Sequence, residues 1–152
     1  MSKTGAEQIH ATCVAIDGQG VLLLGPSGSG KSDLALRLIA AGARLVADDR
    51  VDLRLAADGR VEARAPERLA GKIEVRRLGI LAMPGPDRAP LALACELVAP
   101  AAVERLPDRR TKPFLGTALP LVAIAPFEVS AVTKVQLALA IATGSIMRVD
   151  EP

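Results

Sequence analysis

An α/β fold, rich in strands and with few helices, is predicted by three features of the sequence. Helical spacing of apolar residues appears in only two segments, while short apolar or alternating runs recur along the rest of the chain. A glycine-rich stretch separates the first strongly apolar run from the first helical segment, the order strand, turn, helix. The length, 152 residues, suits one domain with its own core. We therefore expect a single domain over residues 1–152, with 1–9 as a flexible leader and 146–152 as a tail.

Residues 10–16 read as a strand, Asp17-Gly18-Gln19-Gly20 as a tight turn, and Val21-Leu22-Leu23-Leu24 as a buried strand, so two strands precede the first helix. Leu34, Ala35, Leu38 and Ile39 follow helical spacing over residues 32–41, and Gly42 is placed to end that helix. Arg44-Leu45-Val46-Ala47 returns as a short strand ending at Asp48-Asp49. Residues 51–63 alternate around Asp58-Gly59, which predicts a hairpin with a two-residue turn. A buried strand is expected at 78–81, a loop at Pro84-Gly85-Pro86, and an extended apolar segment over 91–99. The stretch 104–112 is charged and poor in apolar residues. A further strand is expected over 119–125, and Val132, Val135, Leu139 and Ala142 mark one face of a closing helix that Gly144 should end.

Composition excludes several function classes. Nineteen Lys and Arg against 17 Asp and Glu leave a net charge of +2, with both signs interspersed, which argues against a nucleic-acid backbone binder. With no Trp, no Tyr and only Phe114 and Phe127, the sequence offers no evident stacking platform, and a bound nucleotide would be held mainly by its phosphates. One histidine and two cysteines, Cys13 and Cys95, cannot form a Cys/His zinc site or a CxxC pair, which fits a reducing, cytoplasmic setting. The longest uncharged run, 113–127, is 15 residues long and broken by three prolines, too short to span a bilayer, so no membrane association is expected. The first ten residues, with no apolar stretch after Lys3, do not read as a secretory signal.

Gly25-Pro26-Ser27-Gly28-Ser29-Gly30-Lys31-Ser32 matches GxxxxGK[ST] directly after a buried strand and at the opening of a helix. Small residues there let successive backbone N–H groups turn inward around phosphate oxygens, with the positive end of the helix behind them. Lys31 would reach the β- and γ-phosphates and Ser32 would ligate Mg²⁺, which implies ATP and Mg²⁺ as cosubstrate and cofactor. Asp48-Asp49 closes the next strand at the same edge, where a carboxylate can hold the metal or take a proton from an attacking hydroxyl. By spacing alone, His10 reads as a structural histidine, Glu74 beside Arg76 and Arg77 as a solvated strand edge, and Arg105 as an ordinary loop charge. Cys13 and Cys95 read as core thiols.

His10, the Gly25–Ser32 loop and Arg44-Leu45-Val46-Ala47-Asp48-Asp49 together resemble the catalytic domain of HPr kinase/phosphorylase. Ile73-Glu74-Val75-Arg76-Arg77-Leu78-Gly79-Ile80-Leu81 is similar to that family's signature stretch, and the resemblance runs over residues 10–145. It implies a P-loop fold of the phosphoenolpyruvate carboxykinase-like type. The implied activity is phosphorylation of a serine of the phosphocarrier protein HPr, with a reverse phosphorolysis by inorganic phosphate, and the implied assembly is a hexamer. It also implies that Asp49 is the proton acceptor, and in reverse the donor, with Asp48 supporting it and the metal shell. Ser32 and Glu74 match the Mg²⁺ ligands, His10 and Lys31 match active-site positions, and Arg105 matches the family's loop arginine, which steadies phosphoryl charge in transit.

The sequence departs from the family in two places. No segment resembles the usual N-terminal domain, as in a short form carrying only the C-terminal catalytic domain. A Pro-Gly-Arg-Asn-like segment linked with dephosphorylation is replaced by Pro126-Phe127-Glu128-Val129, and an acid in place of an arginine should disfavour the phosphorylase direction. The competing reading is a nucleotide-sensing regulatory subunit with little turnover. Asp49 and Glu74 together favour catalysis, because a sensor needs neither a base nor a complete metal shell. A small-molecule kinase is weaker still, since residues 85–112 offer no evident lid for a metabolite.

Overall fold

A computed structural model describes residues 5–151 of the chain. In order, the elements are β1 (Ala6–Ile9), β2 (Thr12–Ile16), β3 (Gln19–Leu24), α1 (Lys31–Ala40), β4 (Arg44–Ala47), β5 (Val51–Leu55), β6 (Val61–Arg64), β7 (Lys72–Val75), β8 (Gly79–Ala82), β9 (Ala89–Leu97), β10 (Arg110–Phe114), β11 (Thr117–Ile124) and α2 (Ala131–Ala142). Short 3-10 turns lie at Glu67–Leu69 and Pro100–Ala102.

β9 is the hub, and its nearly uninterrupted apolar sequence suits a strand covered on both faces. It runs parallel to β3 on one side and to β11 on the other, while its first residues pair antiparallel with β6. From β3 the sheet continues through β2 to β4, and from β6 through β5 to β1. The parallel trio β3, β9 and β11 therefore ends on one edge, the edge where open α/β sheets take ligands.

Two apolar layers flank these strands. On one face Val14, Val21, Leu23, Leu93 and Cys95 pack against Leu34 and Leu38 of α1 and Val135 and Leu139 of α2. On the other, Cys13, Ala15, Leu22 and Ala94 meet Val51, Leu53, Val61 and Ala63, with Phe114 and Leu119. The two cysteines face opposite layers and are unpaired core thiols, as expected. Burial pushes both up to about 12.

Several expectations need correction. Residues 6–9, assigned to a flexible leader, form β1, held by β5 with Ile9 opposite Val51, and residues 1–4 of that leader lie outside the described ones. Three strands rather than two therefore precede α1. The β5–β6 ladder closes at the Leu55–Val61 pair, and the turn beyond it is longer than two residues: Ala56 N–H donates to Arg60 O at 2.8 Å and Gly59 N–H to Ala56 O at 3.0 Å, with Gly59 at φ 86° and the Asp58 carboxylate accepting the Arg60 N–H at 2.9 Å. Residues 78–81 are not a buried strand. β7 and β8 pair only with each other, in a separate two-stranded sheet that leaves Leu78 and Ile80 exposed.

The charged 104–112 stretch leads into β10, which joins β11 through a two-residue turn with Leu115 at φ 51° and Gly116 at φ 80°. The expected tail is tied back to this region. Arg109 Nε donates to Glu151 at 2.8 and 2.9 Å, and an Arg148 nitrogen donates to the Pro107 carbonyl at 2.9 Å. No helix among the described residues is long and apolar enough to cross a membrane.

Candidate functional site

The glycine-rich loop leaves the C-terminal end of β3 and enters α1 at Lys31. Gly30 occupies the helix N-cap at φ 98°, a left-handed conformation that a side chain would strain, and no side chain caps the first turn. The orphan N–H groups of that turn are thus left for an anion. Ser29 N–H donates to Pro26 O at 3.0 Å, which folds the loop back on itself. The Ser29 hydroxyl is buried and has no hydrogen-bond partner. A buried hydroxyl with unused hydrogen-bonding capacity is uncommon, and a phosphate oxygen in the loop would satisfy it.

Lys31 is almost fully buried, and its Nζ donates to the Gly25 carbonyl at 2.6 Å and the Pro26 carbonyl at 3.1 Å. Burial lowers the ammonium's pKa, and the Asp49 and Asp48 carboxylates partly offset that shift. An anion bound in the loop would favour the charged form further.

The two aspartates at the end of β4 face different ways, for a local backbone reason. Arg50 N–H donates to Asp48 O at 2.8 Å, closing a three-residue turn with Asp49 at its centre and at φ 70°. Asp48 turns inward: it is buried, and its Oδ1 accepts the Ser32 hydroxyl at 2.8 Å and the Thr12 hydroxyl at 3.0 Å. Asp49 turns outward, its carboxylate well exposed and 3.0 Å from His10 Nε2. A left-handed aspartate is strained backbone of the kind that collects at functional sites.

The structure thus gathers Lys31, Ser32, Asp48, Asp49 and His10 at one edge. Glu74 lies on the exposed side of β7, and Arg105 lies in the exposed loop after the second 3-10 turn. Neither hydrogen-bonds to the cluster, and among the described residues no three His, Cys, Asp or Glu side chains converge into a metal-holding group. The pair that fits Mg²⁺ is Ser32 with Asp48, a hydroxyl and a carboxylate already in contact, the donor set that P-loop enzymes present to this ion.

Thr12, a fully buried hydroxyl that fixes Asp48, is not marked in the sequence. A threonine on a strand carries no signal of its own, and its partner lies 36 residues away. Nor does the sequence mark the placement of Phe127, whose ring lies over Gly30: a methyl group there would sit 2.8 Å from Cζ. Two clefts of about 440 and 480 Å³ border Gln19 and Thr143, at the opposite end of β3, and include none of these residues.

Residues 2–85 match the family model of the HPr serine kinase C-terminal domain. The HPr kinase/phosphorylase of Caldanaerobacter subterraneus subsp. tengcongensis is 49% identical over 73 residues, which is 48% of this chain and 24% of that relative. The HPr kinase/phosphorylase of Bordetella pertussis is 48% identical over 73 residues, with the same coverage. The matched segment spans about a quarter of the length of these relatives. The structure of the Hpr(Ser) kinase/phosphatase from Coxiella burnetii superposes with a TM-score of 0.76 at 26% identity, covering 91% of this chain and 90% of that one. The strand-rich α/β fold with two helices agrees with that neighbour. With more than half of its residues under the family model and the fold of a solved HPr kinase, the chain belongs to the HPr serine kinase C-terminal domain family.

Proposed function

We propose that this chain is a protein-serine kinase domain that transfers the γ-phosphoryl group of ATP, with Mg²⁺, to a serine of HPr. The observation that carries the reading is the division of labour between the adjacent aspartates. Asp48 is tied to the loop serine, and Asp49 is presented outward at the same edge with His10 against it.

The N–H groups of the Gly25–Ser32 loop would cradle the β- and γ-phosphates. Lys31 would exchange its bonds to the Gly25 and Pro26 carbonyls for phosphate oxygens, gaining a fully charged partner for two neutral ones. Ser32 and Asp48 would hold Mg²⁺, which when bound neutralises charge on the phosphates. Asp49 would accept the proton of the incoming serine hydroxyl as the serine oxygen bonds to the γ-phosphorus and the bond to the β-γ bridging oxygen breaks, releasing ADP. His10 would hold Asp49 in position through the 3.0 Å contact. Glu74 and Arg105 would join on binding, Glu74 as a further metal ligand and Arg105 over the phosphoryl group in transit.

In reverse, inorganic phosphate would attack phosphoserine and Asp49 would return the proton. That direction brings two anions together, and Glu128, even with Lys134 at 3.3 Å, adds no positive charge. We therefore assign the forward direction as the main one. A cytoplasmic homo-oligomer, a hexamer as the resemblance implies, completes the proposal.

The test is transfer of labelled γ-phosphate to purified HPr. Lys31→Ala and Ser32→Ala should each abolish it while leaving the circular-dichroism spectrum unchanged, since both side chains serve the loop rather than an apolar layer. Retained transfer in either variant overturns the assignment of the cradle.

A further inference from the structure

We propose that Phe127 is the platform on which the nucleobase stacks, so that this site distinguishes a nucleotide from a bare polyphosphate. The inference rests on the nucleotide-cradle reading above and adds to it a second recognition element that the loop motif does not contain.

Four observations converge on this ring. First, β11 ends on the same edge as β3, and the chain leaves it directly into Ala125-Pro126-Phe127, the loop that borders the cradle from across β9. Second, the ring lies on the backbone of Gly30, at the start of α1: a Cβ there would stand 2.8 Å from Cζ and 3.1 Å from Cε1. Third, Phe127 is 71% exposed, whereas Phe114 is 6% exposed and belongs to an apolar layer. A chain that leaves one of only two aromatic rings in water beside a phosphate loop has not placed it for core packing. Fourth, the loop under the ring is held. The Arg37 guanidinium of α1 donates to the Pro126 carbonyl, Glu128 N–H donates to Ala125 O at 3.3 Å, Ala131 N–H donates to Glu128 O at 3.1 Å, and Lys134 pairs with Glu128.

The ligand class follows from the chemistry. A phenyl ring offers a π-face and no hydrogen-bonding group, so it rewards any flat heteroaromatic base attached to the phosphates and reads no base edge. His10, the remaining ring at this edge, is engaged with Asp49. Phe127 should therefore raise the affinity for ATP and ADP over that for inorganic tripolyphosphate, with little discrimination between purines.

Calorimetric titration of the full chain, in excess Mg²⁺, with ATP, ADP and tripolyphosphate tests this. Phe127→Leu keeps an apolar contact on Gly30 and removes the π-face. It should weaken ATP and ADP about fivefold or more and leave tripolyphosphate unchanged. Phe127→Trp should keep ATP affinity. Its indole, the sole Trp in the chain, should be quenched by ATP and not by tripolyphosphate. Equal weakening of all three ligands in Phe127→Leu would make the ring a loop buttress and overturn the proposal, as would unchanged ATP affinity. If the native chain bound neither ATP nor tripolyphosphate, the cradle reading would fall first and the platform with it.

Discussion

Thr12→Val removes a single oxygen from the site without changing the shape of the side chain, and its effect can be worked out from the geometry. Thr12 is fully buried, and its hydroxyl donates at 3.0 Å to the same Asp48 oxygen that accepts the Ser32 hydroxyl at 2.8 Å. A hydrogen bond to a charged group contributes about 1.5–3 kcal/mol. Replacing the hydroxyl by a methyl group recovers about 1 kcal/mol of its desolvation. A net loss of about 0.5–2 kcal/mol should follow, a drop in Tm of about 4 °C at the middle of that range for a domain of this length. Because the chain has no Trp or Tyr, urea unfolding is best followed by far-ultraviolet circular dichroism. The decisive form is a double-mutant cycle with Asp48→Asn, which keeps the shape and removes the charge. Thr12→Val should be milder in that background, with a coupling of about 1 kcal/mol. Additivity within about 0.5 kcal/mol would refute the account of how Asp48 is held.

Three further outcomes follow from the site and the core. Asp49→Asn should bind ATP within a few-fold of the native chain yet lose about 10²–10⁴ of the transfer rate to HPr, and an inactive Asp48→Asn beside an active Asp49→Asn would reverse the assignment of the two carboxylates. With both thiols pushed up to about 12, only about one in ten thousand is thiolate at pH 8, and the fraction grows about tenfold per pH unit; native Cys13 and Cys95 should resist iodoacetamide at that pH and react fully in urea, and fast native labelling would contradict their burial. Glu128→Arg should speed pyrophosphate release from phosphorylated HPr relative to the native chain, leaving Lys134 unpaired; equally vigorous release by the native chain would show that another cation holds the attacking phosphate.

What could be read in the sequence was local. The short run 44–47 predicts β4 and the strand is there, the helix predicted over 32–41 forms displaced by one residue at each end, and the Gly25–Ser32 loop stands between a buried strand and a helix because its motif is contiguous. The Asp48-Asp49 pair was also visible, since it follows the next strand directly. What was hidden depends on partners distant in the chain. Ala6–Ile9 has no apolar alternation, and its order comes from pairing with β5 more than 40 residues on. Arg110–Phe114 is polar except at its end and becomes a strand only against β11. Leu78 and Ile80 look like core by hydropathy but sit on a hairpin that no other strand covers. In the site, Thr12 and Phe127 acquire meaning only from the Asp48 oxygen and the Gly30 backbone they touch.

The proposed phosphorylation of a serine of HPr is tested by incubating purified HPr with the chain, ATP and Mg²⁺ and mapping the product by mass spectrometry. A single phosphoserine should accumulate with the native chain and be nearly absent with Asp49→Asn. Unmodified HPr, under conditions where calorimetry shows ATP bound to the native chain, would contradict it and make the cradle a nucleotide sensor.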